Sequence, residues 1–210
     1  MKICLLGAES TGKTTLAQAL ASHFRTQGRS AAAVDEFLRE WCMREARAPR
    51  PEELLAIAQE QEARVDAASA HAAIVIADTS ALMVAIHGAV LFEDSPLYRF
   101  AIERQHGYDM TLVMGLDLPW VADGLQRSRA EDRPEADALV RGALELAGIP
   151  YRVIYGTGPQ RLAAALHALA QAPAQEDTQA SRPWVWSCDK CSDPACEHRL
   201  FTGLLPRGNS

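Results

Sequence analysis

The chain has 210 residues, 48% of them hydrophobic and 23% charged, with a formal net charge of −6, which suits a globular protein with one sizeable domain and a small appendage. The acidic balance argues against a nucleic-acid binder, which needs a basic face. No apolar run reaches the roughly 18 residues that span a bilayer, and the start does not read as a signal peptide, so a cytoplasmic location is expected.

Short apolar runs alternate with longer helical patterns, as in a parallel sheet covered by helices on both faces. Strands are expected at residues 2–6, 30–35, 73–77, 111–116 and 151–155, and helices at 14–25, 51–71, 96–106, 136–147 and 158–172. The strands are nearly all apolar, which fits a sheet buried on both faces.

Directly after the first strand comes GAESTGKTT, residues 7–15. It fits G-x-x-x-x-G-K-[ST]: Gly7 and Gly12 let the loop curl so that backbone N–H groups face a triphosphate, Lys13 adds a positive charge, and the Thr14 hydroxyl can ligate Mg²⁺. Gly7, Glu9, Ser10, Thr11, Gly12, Lys13, Thr14 and Thr15 are the expected ATP-binding residues. The motif's place between strand and helix makes the expected fold class α/β, a three-layer P-loop NTPase with about five parallel strands. No base-reading N-K-x-D of a GTPase is present.

The second strand runs into Asp35-Glu36-Phe37-Leu38-Arg39-Glu40-Trp41. A carboxylate here, Asp35 or Glu36, can take a proton from an alcohol acceptor, Arg39 can pair with a phosphoryl group, and Phe37 and Trp41 can flank a flat ring. The plain alternative is an amphipathic helix with acidic residues at its start. Asp78 ends the third strand and is expected to hold Mg²⁺ with Thr14, the alternative being a cap on the next helix. Asp117 ends the fourth.

Residues 123–134, with Arg127, Arg129 and Arg133, are expected to form a lid whose arginines offset charge on the transferring group, the alternative being a solvated polar loop in which Glu131 and Asp132 nearly cancel them. Arg127 and Arg129 are counted with Lys13, Asp35, Glu36, Arg39 and Asp78 as catalytic candidates. The turn Tyr155-Gly156-Thr157-Gly158 after the fifth strand can pass close to a purine.

GAESTGKTTLAQALASHF, DEFLREW, VIADTSAL and LPWVADGLQRS, in this order, resemble the ribosylnicotinamide kinase domain of the bifunctional bacterial nicotinamide-nucleotide adenylyltransferase/ribosylnicotinamide kinase, and stand-alone AAA-type NAD-metabolism ATPases related to it, over about residues 1–172. The resemblance implies transfer of a phosphoryl group from ATP to the 5′-hydroxyl of nicotinamide riboside. It aligns Glu36 and Arg39 with an E-[FY]-x-R element near the acceptor, and Trp120 and Asp123 with a block beside the lid, so that Glu36, Trp41, Trp120 and Asp123 are the expected substrate-binding residues. Ser80 stands where the family has a second Asp in D-T-D, which takes a carboxylate from the acceptor side, and Gln126 interrupts D-G-L-R. The adenylyltransferase H-x-G-H is absent.

Residues 173–183 read as a linker after a kinase/ATPase domain of residues 1–172. The tail, residues 184–210, holds Cys188, Cys191, Cys196 and His198 in C-x₂-C-x₄-C-x-H, a ligand set for structural Zn²⁺; the alternatives are a partial site or metal-free thiols. Its apolar residues Trp184, Trp186, Leu200, Phe201 and Leu204 would dock on the main domain or on a partner chain, a second copy included. The expected function is an ATP- and Mg²⁺-dependent small-molecule kinase acting on a nucleoside hydroxyl, the alternative being a regulatory ATPase or nucleotide sensor with a degenerate acceptor site.

Overall fold

The computed structural model describes residues 1–88, 95–121 and 130–171. The chain divides into a unit of Met1–Ala172 and a second of Pro173–Ser210. The expected linker and the Cys188, Cys191, Cys196 and His198 set belong to the second and lie outside the described residues.

Strands β1 (Lys2–Leu6), β2 (Ala31–Val34), β3 (Ile74–Asp78), β4 (Met110–Met114) and β5 (Arg152–Ile154) pair in the order β2-β3-β1-β4-β5, all parallel. The helices are α1 (Lys13–Thr26), α2 (Phe37–Glu45), α3 (Pro51–Ser69), α4 (Ala81–His87), α5 (Pro96–His106), α6 (Arg133–Leu146) and α7 (Gly158–Ala170). The expected strands agree to within two residues at each end. α6 starts at Arg133, three residues before its expected start, with Pro134 in its first turn. α4 was not among the expected helices: its first six residues are all buried, so no apolar–polar period marks it.

The alternation of β1 shows the layering. Ile3 and Leu5 pack with Leu16, Leu20 and Phe24 of α1 and Ala165 of α7. Cys4 and Leu6 face the opposite cluster, built from Phe37 of α2, Ile57 of α3, Leu82 of α4, Tyr98 of α5 and Leu144 of α6. Burial pushes the Cys4 thiol up to about 12, so it stays a protonated, unreactive core group.

A polar seam crosses this second cluster. Ser80 caps α4 by accepting from Leu82 N–H and donates to Gln105 Oε1 at 2.6 Å, while Gln105 Nε2 donates to Thr111 Oγ1 at 2.9 Å. Ser80 is 1% exposed and Gln105 0%. Position 80 therefore does not contribute a side chain to the acceptor side, as the missing carboxylate implied; its hydroxyl is spent on a helix start and a core amide. Gln105→Leu removes the partner of both hydroxyls and should lower stability in urea unfolding by about 1–3 kcal/mol.

From β1 the chain steps out to the edge strand β2, returns to β3, then crosses β1 to reach β4. The strand order reverses beside β1, so the crevice at its carboxyl end is where a doubly wound sheet takes a ligand.

Candidate active site

The loop from Gly7 to Gly12 fills that crevice. Gly7 has φ 138° and lies against β4 so closely that a Cβ there would sit 3.1 Å from the Met114 Cβ; Gly12 has φ 80° and caps α1. Ser10, at φ 56°, also takes the left-handed region, and its hydroxyl donates to the Val121 carbonyl at 2.7 Å. Thr11 is fully buried and ties the loop to itself through the Ala8 carbonyl at 2.7 Å. α1 has no acidic residue in its first turn and His23 and Arg25 in its last, so its dipole is left open to an anion at the loop end.

Lys13 is 7% exposed, its Nζ donating to the carbonyls of Gly7 at 2.9 Å and Ala8 at 3.0 Å. These neutral acceptors hold the ammonium at the mouth of the loop, and phosphate oxygens form stronger, charge-assisted bonds with it. Glu9 and Gly12 line the same loop, and Thr15 is exposed on the first turn of α1.

A continuous polar chain runs from Thr14, the residue after Lys13, toward the ends of β2 and β3. The Thr14 hydroxyl donates to Asp78 Oδ2 at 2.5 Å and accepts from Arg39 Nη1 at 3.4 Å, while Arg39 Nη2 pairs with Glu36 Oε2 at 3.1 Å. Glu36 is 7% exposed and Asp78 1%. Three segments distant in sequence thus place Thr14, Glu36, Arg39 and Asp78 in mutual contact. Asp78 Oδ1 and Arg39 Nε are buried without a partner. Burial pushes the Asp78 carboxyl above its ordinary range, opposed by the Thr14 hydroxyl and by Lys13. A hydroxyl oxygen beside a buried carboxylate with one oxygen unsatisfied is a donor set of the hard-oxygen kind that Mg²⁺ takes.

Asp35 does not join this chain. It is exposed and accepts from Gln18 Nε2 at 3.1 Å, which leaves Glu36 as the carboxylate of the pair that faces Arg39. Trp41 is 8% exposed within the core cluster, with the Arg47 guanidinium 4.7 Å from its ring centre, so its ring is spent on packing. Trp120 is half-buried. Asp123, Arg127 and Arg129 lie outside the described residues. Arg133 is described: it is 8% exposed and donates to the Leu118 carbonyl at 2.9 Å, with Nε and Nη2 buried and unpartnered.

Two further residues belong to the site. Gln61 brackets Glu36, accepting from the Phe37 N–H at 2.7 Å and donating to the Asp35 carbonyl at 3.4 Å. The signal was legible: Leu54, Ile57, Ala58, Gln61, Glu62 and Val65 form the buried stripe of α3, and polar residues on such a stripe need partners. His87 ends α4. Its ring keeps an exposed surface, yet desolvation in the cleft, joined by Lys13 and Arg39, pulls its imidazole down to about 4. His87 is therefore neutral at neutral pH.

The chain belongs to the AAA domain family, whose profile matches residues 2–161. Among solved structures, a NadR protein in complex with NAD and AMP-PNP superposes at TM-score 0.63 and 20% identity, covering 85% of this chain and 51% of that one. A NadR protein in complex with NR does so at 0.61 and 19%, covering 86% and 52%. Thymidylate kinase from Ehrlichia chaffeensis does so at 0.55 and 14%, covering 81% and 97%. The chain spans about half the length of the NadR chains, and at these identities the likeness is one of fold. No curated protein matches the sequence.

A raised carboxyl pKa means that the folded state binds the Asp78 proton more tightly than the unfolded chain does. The group therefore favours folding only at low pH, and costs stability once the pH has risen through its unfolded and then its folded value. Asp78→Asn should accordingly raise the Tm of the nucleotide-free protein at pH 7. The same substitution should abolish most of the extra Tm shift that Mg²⁺ adds to ATP. Differential scanning fluorimetry reads both effects.

Proposed function

We propose that this AAA domain protein is an ATP-dependent kinase that transfers the γ-phosphoryl group to a nucleoside hydroxyl, with nicotinamide riboside as the acceptor of choice. The observation that carries the reading is the contact chain Asp78–Thr14–Arg39–Glu36, in which the residue that follows the loop lysine joins a buried carboxylate to a carboxylate–guanidinium pair. The resemblance to ribosylnicotinamide kinases and the shared fold with a NadR structure holding NR support the choice of acceptor.

In this reading the loop amides and Lys13 grip the β- and γ-phosphates. Thr14 and Asp78 would hold Mg²⁺, which would offset the negative charge of the phosphates. Glu36, oriented by Arg39, receives the proton of the acceptor hydroxyl as its oxygen bonds to the γ-phosphorus. The bond from that phosphorus to the β,γ-bridging oxygen breaks, and ADP carries the charge away. Arg39 and Arg133, the latter with two unpartnered nitrogens, are the described guanidinium groups that would offset charge on the transferring group, a role the sequence also offers to Arg127 and Arg129. Nearly all of the catalysis is positioning and charge neutralisation.

Purified protein with Mg²⁺, ATP and nicotinamide riboside should release ADP in step with the mononucleotide, and Lys13→Ala should lower kcat/KM by at least about a hundredfold. Slow ATP hydrolysis indifferent to every nucleoside would instead mark a nucleotide sensor. The tail's C-x₂-C-x₄-C-x-H spacing supports a structural Zn²⁺ held by Cys188, Cys191, Cys196 and His198. The as-purified full chain should then contain zinc near equimolar with protein, measured by mass spectrometry of the metal, with those thiols unreactive until a chelator is added.

A further inference from the structure

The acceptor-side Glu36 and the Mg²⁺-side Asp78 stand past the end of β2 and at the end of β3, on one side of the P-loop strand β1, while β4 and β5 lie on the other. A triphosphate bridging toward the acceptor therefore leaves its nucleoside over β4 and β5. A single guanidinium, little exposed to water, sits on that side and serves three segments at once.

Arg161, in the first turn of α7, is 4% exposed. Its Nε donates to the Gly156 carbonyl at 2.6 Å, its Nη1 to the Thr11 carbonyl in the P-loop, and its Nη2 to Asp117 Oδ1 at the end of β4. Asp117 closes the ring, because its Oδ2 accepts the Gly156 N–H at 2.6 Å. The P-loop, the segment after β4 and the turn after β5 are thereby fixed to one another by charge-assisted bonds. The P-loop also has independent supports, in the Thr11 hydroxyl on Ala8, Lys13 on Gly7 and Ala8, and Ser10 on Val121. Besides this clasp, the turn at 155–158 has the local bonds of the Gln160 and Arg161 N–H to the Thr157 carbonyl, and the Arg141 contact with Tyr155. Removing the arginine should still free the turn more than the loop.

We infer that Arg161, held by Asp117, is a positioning residue that fixes the distance between the phosphate grip and the turn that meets the nucleotide's base, so that triphosphate and base bind as one unit. The inference rests on the nucleotide-binding part of the reading above and on the side of β1 where the acceptor carboxylate stands, and is independent of the acceptor's identity.

The test is calorimetric titration of the full chain, with Mg²⁺, by ATP and by inorganic tripolyphosphate, which has the phosphates without a base. In Arg161→Gln the ATP dissociation constant should rise about tenfold, the scale of a lost charge-assisted bond, with that for tripolyphosphate changing less than about twofold. Arg161→Lys keeps the charge but cannot bridge three acceptors, and Asp117→Asn loosens the clasp from its other end. Both should shift the ratio of the two constants in the same direction, and they carry the test if Arg161→Gln fails to fold. Circular dichroism confirms the fold of each variant. An unchanged ratio in folded variants, whether both ligands weaken together or neither does, overturns the inference while leaving the kinase reading intact. Absence of any triphosphate binding by the wild-type chain overturns both.

Discussion

A carboxylate forced into the interior at the end of β3 sets the terms for the groups around it. Asp78 is 1% exposed, and one of its oxygens has no protein partner. A buried charge is stable only when it is paired or coordinated, and the Thr14 hydroxyl satisfies one oxygen alone. That single bond joins the start of α1 to the end of β3, so the phosphate loop and the strand beside it keep a fixed relation. It also aims the Thr14 oxygen between a carboxylate and the Arg39 guanidinium. The remaining unsatisfied acceptor is a desolvation cost that a bound cation would offset.

Support for this arrangement comes from two consecutive residues of α3. Gln61 accepts the first N–H of α2, and Glu62 accepts the first N–H of α4, from Ala81 at 2.8 Å. Glu62 also accepts from Tyr108 and pairs with Arg104 at 3.5 Å. Helix starts have free N–H groups that must be satisfied. Here one long helix satisfies two of them; α2 begins directly after Glu36, and α4 begins three residues after Asp78. The positions of both site carboxylates therefore depend on where α3 lies against the sheet, which its apolar stripe of Leu54, Ile57, Ala58 and Val65 determines.

The sheet strands and the phosphate loop were legible because their signals are local: short apolar runs, and glycines at positions that need left-handed or crowded backbone. α4 was not legible, since a helix buried on all sides has no period to read, and His87 at its end was missed with it. The choice between Asp35 and Glu36 was open in sequence because both are strand-end carboxylates. Only the direction of the chain entering α2 turns one toward Gln18 and the other toward Arg39. Trp41 read as a ring-stacking residue from its type, whereas its spacing from Phe37 and Leu38 places it on the core side of α2. Aromatic residues near a site are more often packing than contact, and the helix face decides which.

Position 80 bears most on what the protein does. As a sequence difference, a serine in place of an acidic residue suggests a weakened acceptor site and therefore a sensor. In the fold, the side chain at this position points under α4 to Gln105, within a seam that also includes Thr111. A carboxylate there would meet the Gln105 amide and the nearby Glu62, so its removal relieves buried negative charge without touching Glu36 or Arg39. The substitution is thus a change in core polarity. The groups that would take a proton from an acceptor and steady a phosphoryl group are still in contact with each other, and the physical case for a degenerate site loses its main support.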